Sequence, residues 1–170
     1  MRKLRRQLSA IILVISILLL SACGTESSQA SLEKGNQTND NNSEFLYQGK
    51  NIQVTETPGW IENTNSSYSD EGNVVFENGK VKAIITVVSN EKSLEEIKSE
   101  LKKSFANAEV IQESSDYVSL KTNRKESIRS DVYFNRGEDQ TGIIIFMTPI
   151  KTHEKNKTII EKFKNNVQYF

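Results

Sequence analysis

Apolar and polar residues alternate in a periodic way only from residue 45 onward. Phe45-Leu46-Tyr47 is the first apolar cluster of this part, and Ile52 and Val54 then alternate with polar neighbours, as the residues of a half-buried strand do. Pro58-Gly59 follows, and because Pro-Gly is a strong turn signal, we expect the strand to end before it.

The clearest local structure is a hairpin around Asn78-Gly79. Asn-Gly between two β-branched runs favours a two-residue turn, in which both central residues take a positive φ. The second arm, Ala83–Val88, is apolar on both faces, which predicts a central strand that is covered on each side.

An amphipathic helix is predicted from Ser93 onward. Ser93-Leu94-Glu95-Glu96 is a capping box, in which the serine oxygen accepts from a backbone N–H while Glu96 reaches back. Apolar residues at spacings of three and four then form one stripe: Leu94, Ile97, Leu101, Phe105 and Ala108. The opposite face is expected to carry the polar residues Glu95, Lys98, Lys102 and Lys103.

Four further strands and a last helix complete the pattern. The strands are predicted at residues 109–113, 117–122, 127–135 and 141–147, with turn residues between them. The last strand is again apolar on both faces, and Pro149 ends it. The helix is predicted from about residue 154 to 165, with four residues facing inward: Ile159, Ile160, Phe163 and Val167.

This order of elements predicts an α+β domain, because runs of adjacent strands with only two helices are typical of an antiparallel sheet. We expect about six to seven strands with two helices packed on them, one helix to a face. Together with the turn at Pro58-Gly59-Trp60, the element order resembles the PsbP/Mog1-like fold across residues 45–170. That resemblance implies an accessory or binding protein without catalysis.

The first 22 residues have a different character. Their charge lies in four basic residues: Arg2, Lys3, Arg5 and Arg6. An apolar block from Ala10 to Leu20 follows, and a charged start, a short apolar block and a small-residue cleavage site describe a secretory signal. The closing Leu20-Ser21-Ala22-Cys23 resembles the lipobox of bacterial lipoprotein signal peptides. An uncleaved signal anchor is the alternative, although the 11 apolar-block residues are roughly half of what a membrane-spanning helix needs.

The lipobox resemblance implies that Cys23 is the lipidation site. A diacylglyceryl group would be attached to its thiol, and a peptidase would cut between Ala22 and Cys23. Each buried methylene of a fatty acyl chain such as palmitate contributes about 0.8 kcal/mol, so two or more chains anchor stably. We therefore expect the mature protein at the extracytoplasmic face of the cell membrane, held there by lipid on Cys23.

Residues 23–44 are predicted to form the lipidated cysteine and a disordered tether. Between Gly24 and Ser43 only Ala30 and Leu32 are apolar, so the segment cannot bury enough surface to offset its ordering entropy. The chain thus divides into a signal peptide at 1–22, the tether, and a folded domain at 45–170.

Composition argues against several classes of function. Without the signal peptide, 18 basic residues stand against 22 acidic ones, and a net charge of −4 argues against nucleic acid as a partner. Cys23 is the only cysteine, so no disulfide forms within the chain. With Cys23 assigned to lipid, no cysteine is left for thiol chemistry. His153 is the only histidine, so the chain also lacks the ligands for a zinc finger or a multi-histidine metal site. We expect no cofactor.

Trp60 and His153 are each open to two interpretations. Trp60 could stack on a ligand, but a tryptophan after Pro-Gly more often closes the edge of the core, and we favour that role. His153 stands beside Glu154 and could act as a general base. Because no serine or carboxylate is placed by spacing to work with it, we expect a surface residue at the start of a helix.

Charged residues in the turns are further candidates. Asp70-Glu71 and Glu138-Asp139 offer the oxygen ligands that calcium favours. Neither pair matches a calcium-loop spacing, and solvated turns explain both. Arg124-Lys125 and Arg129 form a small basic cluster that could contact a partner, although turn residues of like sign are common.

The sequence therefore indicates a lipid-anchored interaction or assembly module of the cell envelope, with no catalytic residue and a partner that is itself an envelope protein. One alternative is a small envelope hydrolase that uses Ser, Asp or Glu side chains without a recognisable motif. The other is an accessory ligand-binding lipoprotein, which is disfavoured because the 148 residues after the signal cannot form the usual two-lobed binder.

Overall fold

The computed structural model describes residues 45–67, 73–105, 107–122 and 126–170. The predicted signal peptide, Cys23 and the tether lie outside these residues, as do Asp70-Glu71 and Arg124-Lys125. In the described ranges, no helix is long and apolar enough to cross a membrane.

Strands in two antiparallel sheets and two α-helices make up this part of the chain. The strands are β1 (Phe45–Gln48), β2 (Ile52–Thr55), β3 (Ile61–Glu62), β4 (Val74–Asn78), β5 (Val81–Ser89), β6 (Ala108–Glu113), β7 (Tyr117–Thr122), β8 (Ile128–Arg136), β9 (Gln140–Pro149) and β10 (Val167–Tyr169). The helices are α1 (Leu94–Ser104) and α2 (His153–Lys164), and a 3₁₀ turn at Ile150–Thr152 precedes α2. The predicted α+β class with two helices is confirmed.

The larger sheet has seven strands in the order β3-β4-β5-β9-β8-β7-β6. Its two central strands, β5 and β9, are the two segments that are apolar on both faces, and they pair from Lys82↔Met147 to Ser89↔Gln140. Both are largely buried. The prediction that these segments are central strands is therefore confirmed, because a strand flanked by neighbours and covered on both faces has no solvent side for polar residues.

A separate three-stranded sheet has the order β1-β2-β10. Here the prediction for the last helix needs correction, because α2 ends at Lys164 and Val167 lies in β10, opposite Val54 of β2. The spacing of four residues between Phe163 and Val167 continues the helical period, so the pattern did not reveal where the helix stops.

The core lies between α2, the small sheet and one face of the large sheet. Alternate residues of β4, β5 and β9 point to this face, and α2 and β2 cover them. The buried residues of this cluster are Ile52, Val54, Trp60, Val74, Phe76, Val81, Ala83, Ile85, Ile144, Phe146, Ile160 and Phe163.

Helix α1 lies at the β6–β7 end of the large sheet, where Lys102 Nζ pairs with Glu113 at 2.9 Å. Its capping box forms as predicted, with the Glu96 N–H donating to Ser93 Oγ at 3.3 Å and the Ser93 N–H donating to Glu96 Oε2 at 2.8 Å. The hydrogen bond from the Ser93 backbone lowers the pKa of Glu96. Ile97, Leu101 and Phe105 are buried, so the predicted apolar stripe is confirmed for these three residues.

Two parts of the α1 prediction are wrong. Lys98 does not lie on the solvent face: it is only 2% exposed, and its Nζ donates to the Ser114 carbonyl at 2.6 Å. Its aliphatic stem tolerates the interior while the ammonium finds a fixed acceptor. Ala108 belongs to β6, because the helix ends at Ser104 and Asn107 takes a φ of 66°.

The β4–β5 hairpin has a two-residue turn, as predicted, but its turn is shifted by one residue. Asn78 pairs with Val81, so the central residues are Gly79 and Lys80. Of these Gly79 carries the positive φ, at 59°, a conformation that glycine adopts without steric cost. The expectation of a positive φ at Asn78 is therefore wrong.

Candidate functional site

A buried set of polar side chains joins α2 to the large sheet. We call Tyr117, Arg129, Asp131 and His153 the Asp131 network. Arg129 and Asp131 are two residues apart on β8 and so share a face, while Tyr117 comes from the neighbouring β7 and His153 begins α2. Asp131 lies opposite Phe146 of β9, which places the network on the same face as the main core.

The Asp131 carboxylate accepts hydrogen bonds from three side chains. The Tyr117 hydroxyl donates to Oδ1 at 2.5 Å, and Arg129 Nε donates to Oδ1 at 2.9 Å and to Oδ2 at 3.2 Å. His153 Nε2 lies 2.9 Å from Oδ2. Arg129 Nη2 also donates to the Tyr117 oxygen at 3.1 Å, which closes the network. The Asp131 side chain is only 3% exposed.

These contacts keep Asp131 ionised. Burial by itself would raise the pKa of this carboxyl, but the hydrogen bonds from Tyr117 and Arg129 outweigh burial, and the pKa is lowered. Burial, followed by the hydrogen bond to Asp131, raises the pKa of Tyr117, so its hydroxyl keeps the proton it donates. Because an ionised carboxylate only accepts, the proton between Asp131 and His153 belongs to Nε2.

The structure corrects the interpretation of His153. It begins α2, as expected, but it is 6% exposed and does not lie on the surface. A carboxylate does stand beside it, since Asp131 approaches from β8, 22 positions earlier in the chain. The alternation of residues 127–135 could have indicated this burial. Both faces of β8 are covered, so the polar residues of the strand are buried together with the apolar ones.

Arg129 also differs from its prediction. It was expected to form a small basic cluster with Arg124-Lys125, which lie outside the described residues. Its side chain is instead 20% exposed and is bound to Asp131. Burial by itself would lower the pKa of Arg129, but its bonds to Asp131 and Tyr117 raise it. The guanidinium is therefore bound within the network.

The network is arranged as a cross-link. Asp131 holds the first residue of α2, while at the last residue Lys164 Nζ lies 4.3 Å from the centre of the Tyr133 ring. His153 Nδ1 faces the exposed Glu154 at 3.4 Å. Both Asp131 oxygens are hydrogen-bonded to Tyr117, Arg129 or His153. The arrangement therefore fixes α2 on the large sheet.

Trp60 lies in the core, as favoured from the sequence. It is 3% exposed and stacks on Phe163 of α2 with ring centres 4.0 Å apart. Its ring also meets Phe146 of β9 edge-on at 6.1 Å. The tryptophan therefore links the segment after β2 to the helix and the sheet.

The second candidate site is a cleft of about 460 Å³ at the other end of the core face. It lies between the β8–β9 turn, the β1–β2 turn and the end of β10. Its lining residues are Asn51, Asn135, Gly137, Glu138, Asp139, Gln140, Tyr169 and Phe170. The sequence singled out Glu138-Asp139 but not the other lining residues, which come from distant parts of the chain.

Glu138 and Asp139 are exposed in the β8–β9 turn, as expected for solvated acids. Asn90 holds this turn in place, since its Nδ2 donates to the Gly137 and Glu138 carbonyls at 2.9 Å each. Its backbone N–H donates to the Asp139 carbonyl at 3.0 Å. Across the part of the chain that the structure describes, no group of three or more His, Cys, Asp or Glu residues is placed to hold a metal ion.

Comparisons with known proteins give likenesses at the level of structure. No protein-family model matches the chain, and no curated protein matches it. The Ran-binding protein Mog1p of Saccharomyces cerevisiae is similar in structure, with 12% identity and a TM-score of 0.49 over 71% of this chain and 96% of that one. The cyanobacterial PsbP (CyanoP) of Synechocystis has 15% identity and a TM-score of 0.42 over 80% of this chain and 98% of its own.

A protein from Bacteroides thetaiotaomicron has 15% identity and a TM-score of 0.42 over 73% of this chain. The chain spans about half of that protein's length, 49%. The fold class itself is established by the strand order and helices described above.

Proposed function

We propose that the protein is a non-catalytic interaction module, anchored by lipid to the extracytoplasmic face of the cell membrane. The observation that carries the anchoring is Leu20-Ser21-Ala22-Cys23 at the end of a short apolar block. Cys23 is the only cysteine in the sequence, which fits a residue committed to lipid. Residues 24–43 are polar enough to act as a tether between lipid and domain.

The Asp131 network supports a role without catalysis. A general base must reach the proton that it removes, within hydrogen-bond distance or through one water. His153 is 6% exposed, and its Nε2 is bound to Asp131. Its other nitrogen faces Glu154 at 3.4 Å. The groups that would form an acid–base centre are thus occupied with one another.

A small envelope hydrolase is the competing function, and the His153–Asp131 pair is the observation that favours it. Such an enzyme would need a nucleophile next to Nδ1, the ring nitrogen that does not contact Asp131. In this chain the carboxylate of Glu154 lies there. We therefore favour the module, whose partner would be an envelope protein and whose anchor would be the membrane itself.

Lipid attachment is tested by replacing Cys23. We expect metabolic labelling with an alkynyl fatty acid to mark the parent protein and not Cys23→Ala, because the thiol is the attachment point. Ser21→Ala keeps a small residue before the cleavage site and should be labelled like the parent. Equal labelling of the parent and Cys23→Ala would refute the anchoring.

The partner is sought separately. Crosslinking in intact cells followed by mass spectrometry should recover an envelope protein with the parent protein. The same experiment on Cys23→Ala should recover less of it, because a domain without the lipid is held less firmly at the membrane.

A further inference from the structure

The cleft at the end of the core face has the size of a small-molecule site. Its volume of about 460 Å³ falls within the range of roughly 300–1,000 Å³ typical of small-molecule sites. Two sheets form it: Asn135 and Gln140 belong to β8 and β9 of the large sheet, and Tyr169 belongs to β10 of the small one.

Hydrogen bonds within the protein hold the walls of the cleft in place. Thr141 Oγ1 donates to Asn90 Oδ1 at 2.6 Å, so the side chain that grips the β8–β9 turn is itself fixed. The Phe170 N–H donates to the Asn51 carbonyl at 3.1 Å, and Gln140 Nε2 donates to the Phe170 carbonyl. These bonds tie the two sheets together at the cleft.

Four planar polar side chains of the lining are left without a partner among the described residues. They are the amides of Asn51 and Asn135 and the carboxylates of Glu138 and Asp139. The hydroxyl of Tyr169 also lacks a hydrogen-bond partner in the described part of the chain, but it is buried and closed to a ligand, which leaves the four amides and carboxylates. A ligand that supplied partners to these groups would gain hydrogen bonds without breaking any within the protein.

An aromatic ring completes the lining. Phe170 is 62% exposed although it is a large apolar residue. The Tyr169 ring beside it is fixed over Gly142, where an added Cβ would lie 2.4 Å from the ring. The cleft therefore offers an apolar ring face next to planar hydrogen-bonding groups.

We propose that this cleft binds a neutral saccharide. Hydroxyls both donate and accept, so vicinal hydroxyls of a sugar satisfy the amide donors and the carboxylate acceptors together. The C–H face of a sugar ring is apolar and packs on the Phe170 ring. A cation would only donate and would leave the amide donors unpaired, which costs binding energy. An anion would meet two carboxylates and, among the described lining residues, no basic one.

This proposal deepens the proposed function, because it gives the module a ligand class, and it rests on that proposal for the absence of catalysis. Sugar binding and fatty-acid labelling are measured separately, so either can fail alone. The Cys23→Ala protein should bind the sugar as the parent does.

The test is saturation-transfer difference NMR on the full chain in a detergent that has no sugar headgroup. The probes are glucose, galactose, N-acetylglucosamine and maltose, with cadaverine as a cationic probe. Phe170→Ala and Asn135→Ala remove exposed side chains from the cleft. Ile61→Ala is the matched control, because Ile61 is 64% exposed and is not part of the lining.

We expect ring-proton signals from at least one of the four sugars. Phe170→Ala or Asn135→Ala should weaken its binding about tenfold, the loss of one good contact, while Ile61→Ala should leave it unchanged. Absence of signals from all four sugars would overturn the proposal, as would equal affinities of the parent and both cleft variants. Binding of cadaverine but of no sugar, lost in Glu138→Gln/Asp139→Asn, would overturn it in favour of a cationic ligand.

Discussion

Replacing Asp131 by asparagine should lower the free energy of unfolding by about 3 kcal/mol, because it removes the only negative charge of the Asp131 network. Within the network, Arg129 is bound to this carboxylate at 2.9 Å and His153 Nε2 at 2.9 Å. Asparagine keeps the shape and one acceptor oxygen, but its amide would point an N–H at one of these donors. The substitution therefore tests the charge and not the volume.

The magnitude follows from burial. Removing one partner of a buried ion pair costs roughly 3–5 kcal/mol, because it leaves an uncompensated charge inside the protein. The Asp131 side chain is 3% exposed, whereas that of Arg129 is 20% exposed and keeps some contact with water. We therefore expect the lower end of the range.

The effect should depend on pH in a defined direction. Since the pKa of Asp131 is lower in the folded protein than the ordinary value of about 3.9, the unfolded chain binds more protons between the two values. The stabilisation by Asp131 is complete above the ordinary pKa and is lost as the pH falls through the lowered one. The difference between the parent and Asp131→Asn should thus be full at neutral pH and shrink in acid.

Urea unfolding followed by far-UV circular dichroism measures the effect. Asp139→Asn is the matched control, because it makes the same change at an exposed position and should stay within about 0.5 kcal/mol of the parent. Arg129→Met/Asp131→Leu replaces the pair by apolar residues and should be less destabilised than Asp131→Asn. A loss below about 1 kcal/mol for Asp131→Asn, as in a surface ion pair, would refute the buried network.

Three further predictions concern the fold. Residues 45–170 alone should be soluble and monomeric and should unfold in one sharp thermal transition; a broader transition than that of the mature chain would show that the tether belongs to the fold. Leu101→Ala should cost roughly 2–5 kcal/mol in urea unfolding because Leu101 is 8% exposed, while the exposed Lys103→Ala should change little; similar midpoints would mean that α1 does not pack through its stripe. Gly142→Ala should cost roughly 1–3 kcal/mol because its Cβ would lie 2.4 Å from the Tyr169 ring, and Tyr169→Leu should relieve much of that loss; an unchanged urea midpoint for the single variant would contradict the contact.

Local pattern predicts those parts of the fold that neighbours in the chain decide. The capping box at Ser93–Glu96 is complete within four residues, and its hydrogen bonds form as expected. Central strands need apolar residues on both faces, and β5 and β9 are the two segments that have them. In both cases, the residues that determine the local structure lie within one short segment of the sequence.

Polar residues in the interior could not be predicted in this way, because their partners are remote in sequence. His153 is made a buried residue by Asp131, which reaches it only through the register of β8. Lys98 is buried because the Ser114 carbonyl stands 2.6 Å from its ammonium group. A prediction that places histidine and lysine on the solvent side from local sequence alone does not take these remote partners into account.

The small sheet and the cleft depend on still longer separations. Asn166 Nδ2 donates to Thr57 Oγ1 at 2.8 Å across 109 positions of the chain. The apolar spacing that continues from α2 into β10 is compatible with a helix. Residues 167–169 form a strand only because they pair with β2. The cleft joins Asn51, Asn135 and Phe170, so no motif could have marked it.

The pairing of β2 with β10 also sets a limit on how early the domain can be finished during its synthesis. A chain leaves the ribosome from its amino end, at about 5–20 residues per second. β2 emerges early, but β10, the strand that pairs with its other edge, emerges only after all the strands of the large sheet. Until α2 and β10 are available, Ile144 and Phe146 lack their cover, and the sheet presents apolar surface to its surroundings. The nascent domain therefore acquires its full core only after β10 has emerged, and until then this apolar surface is open to solvent and to proteins that bind the emerging chain.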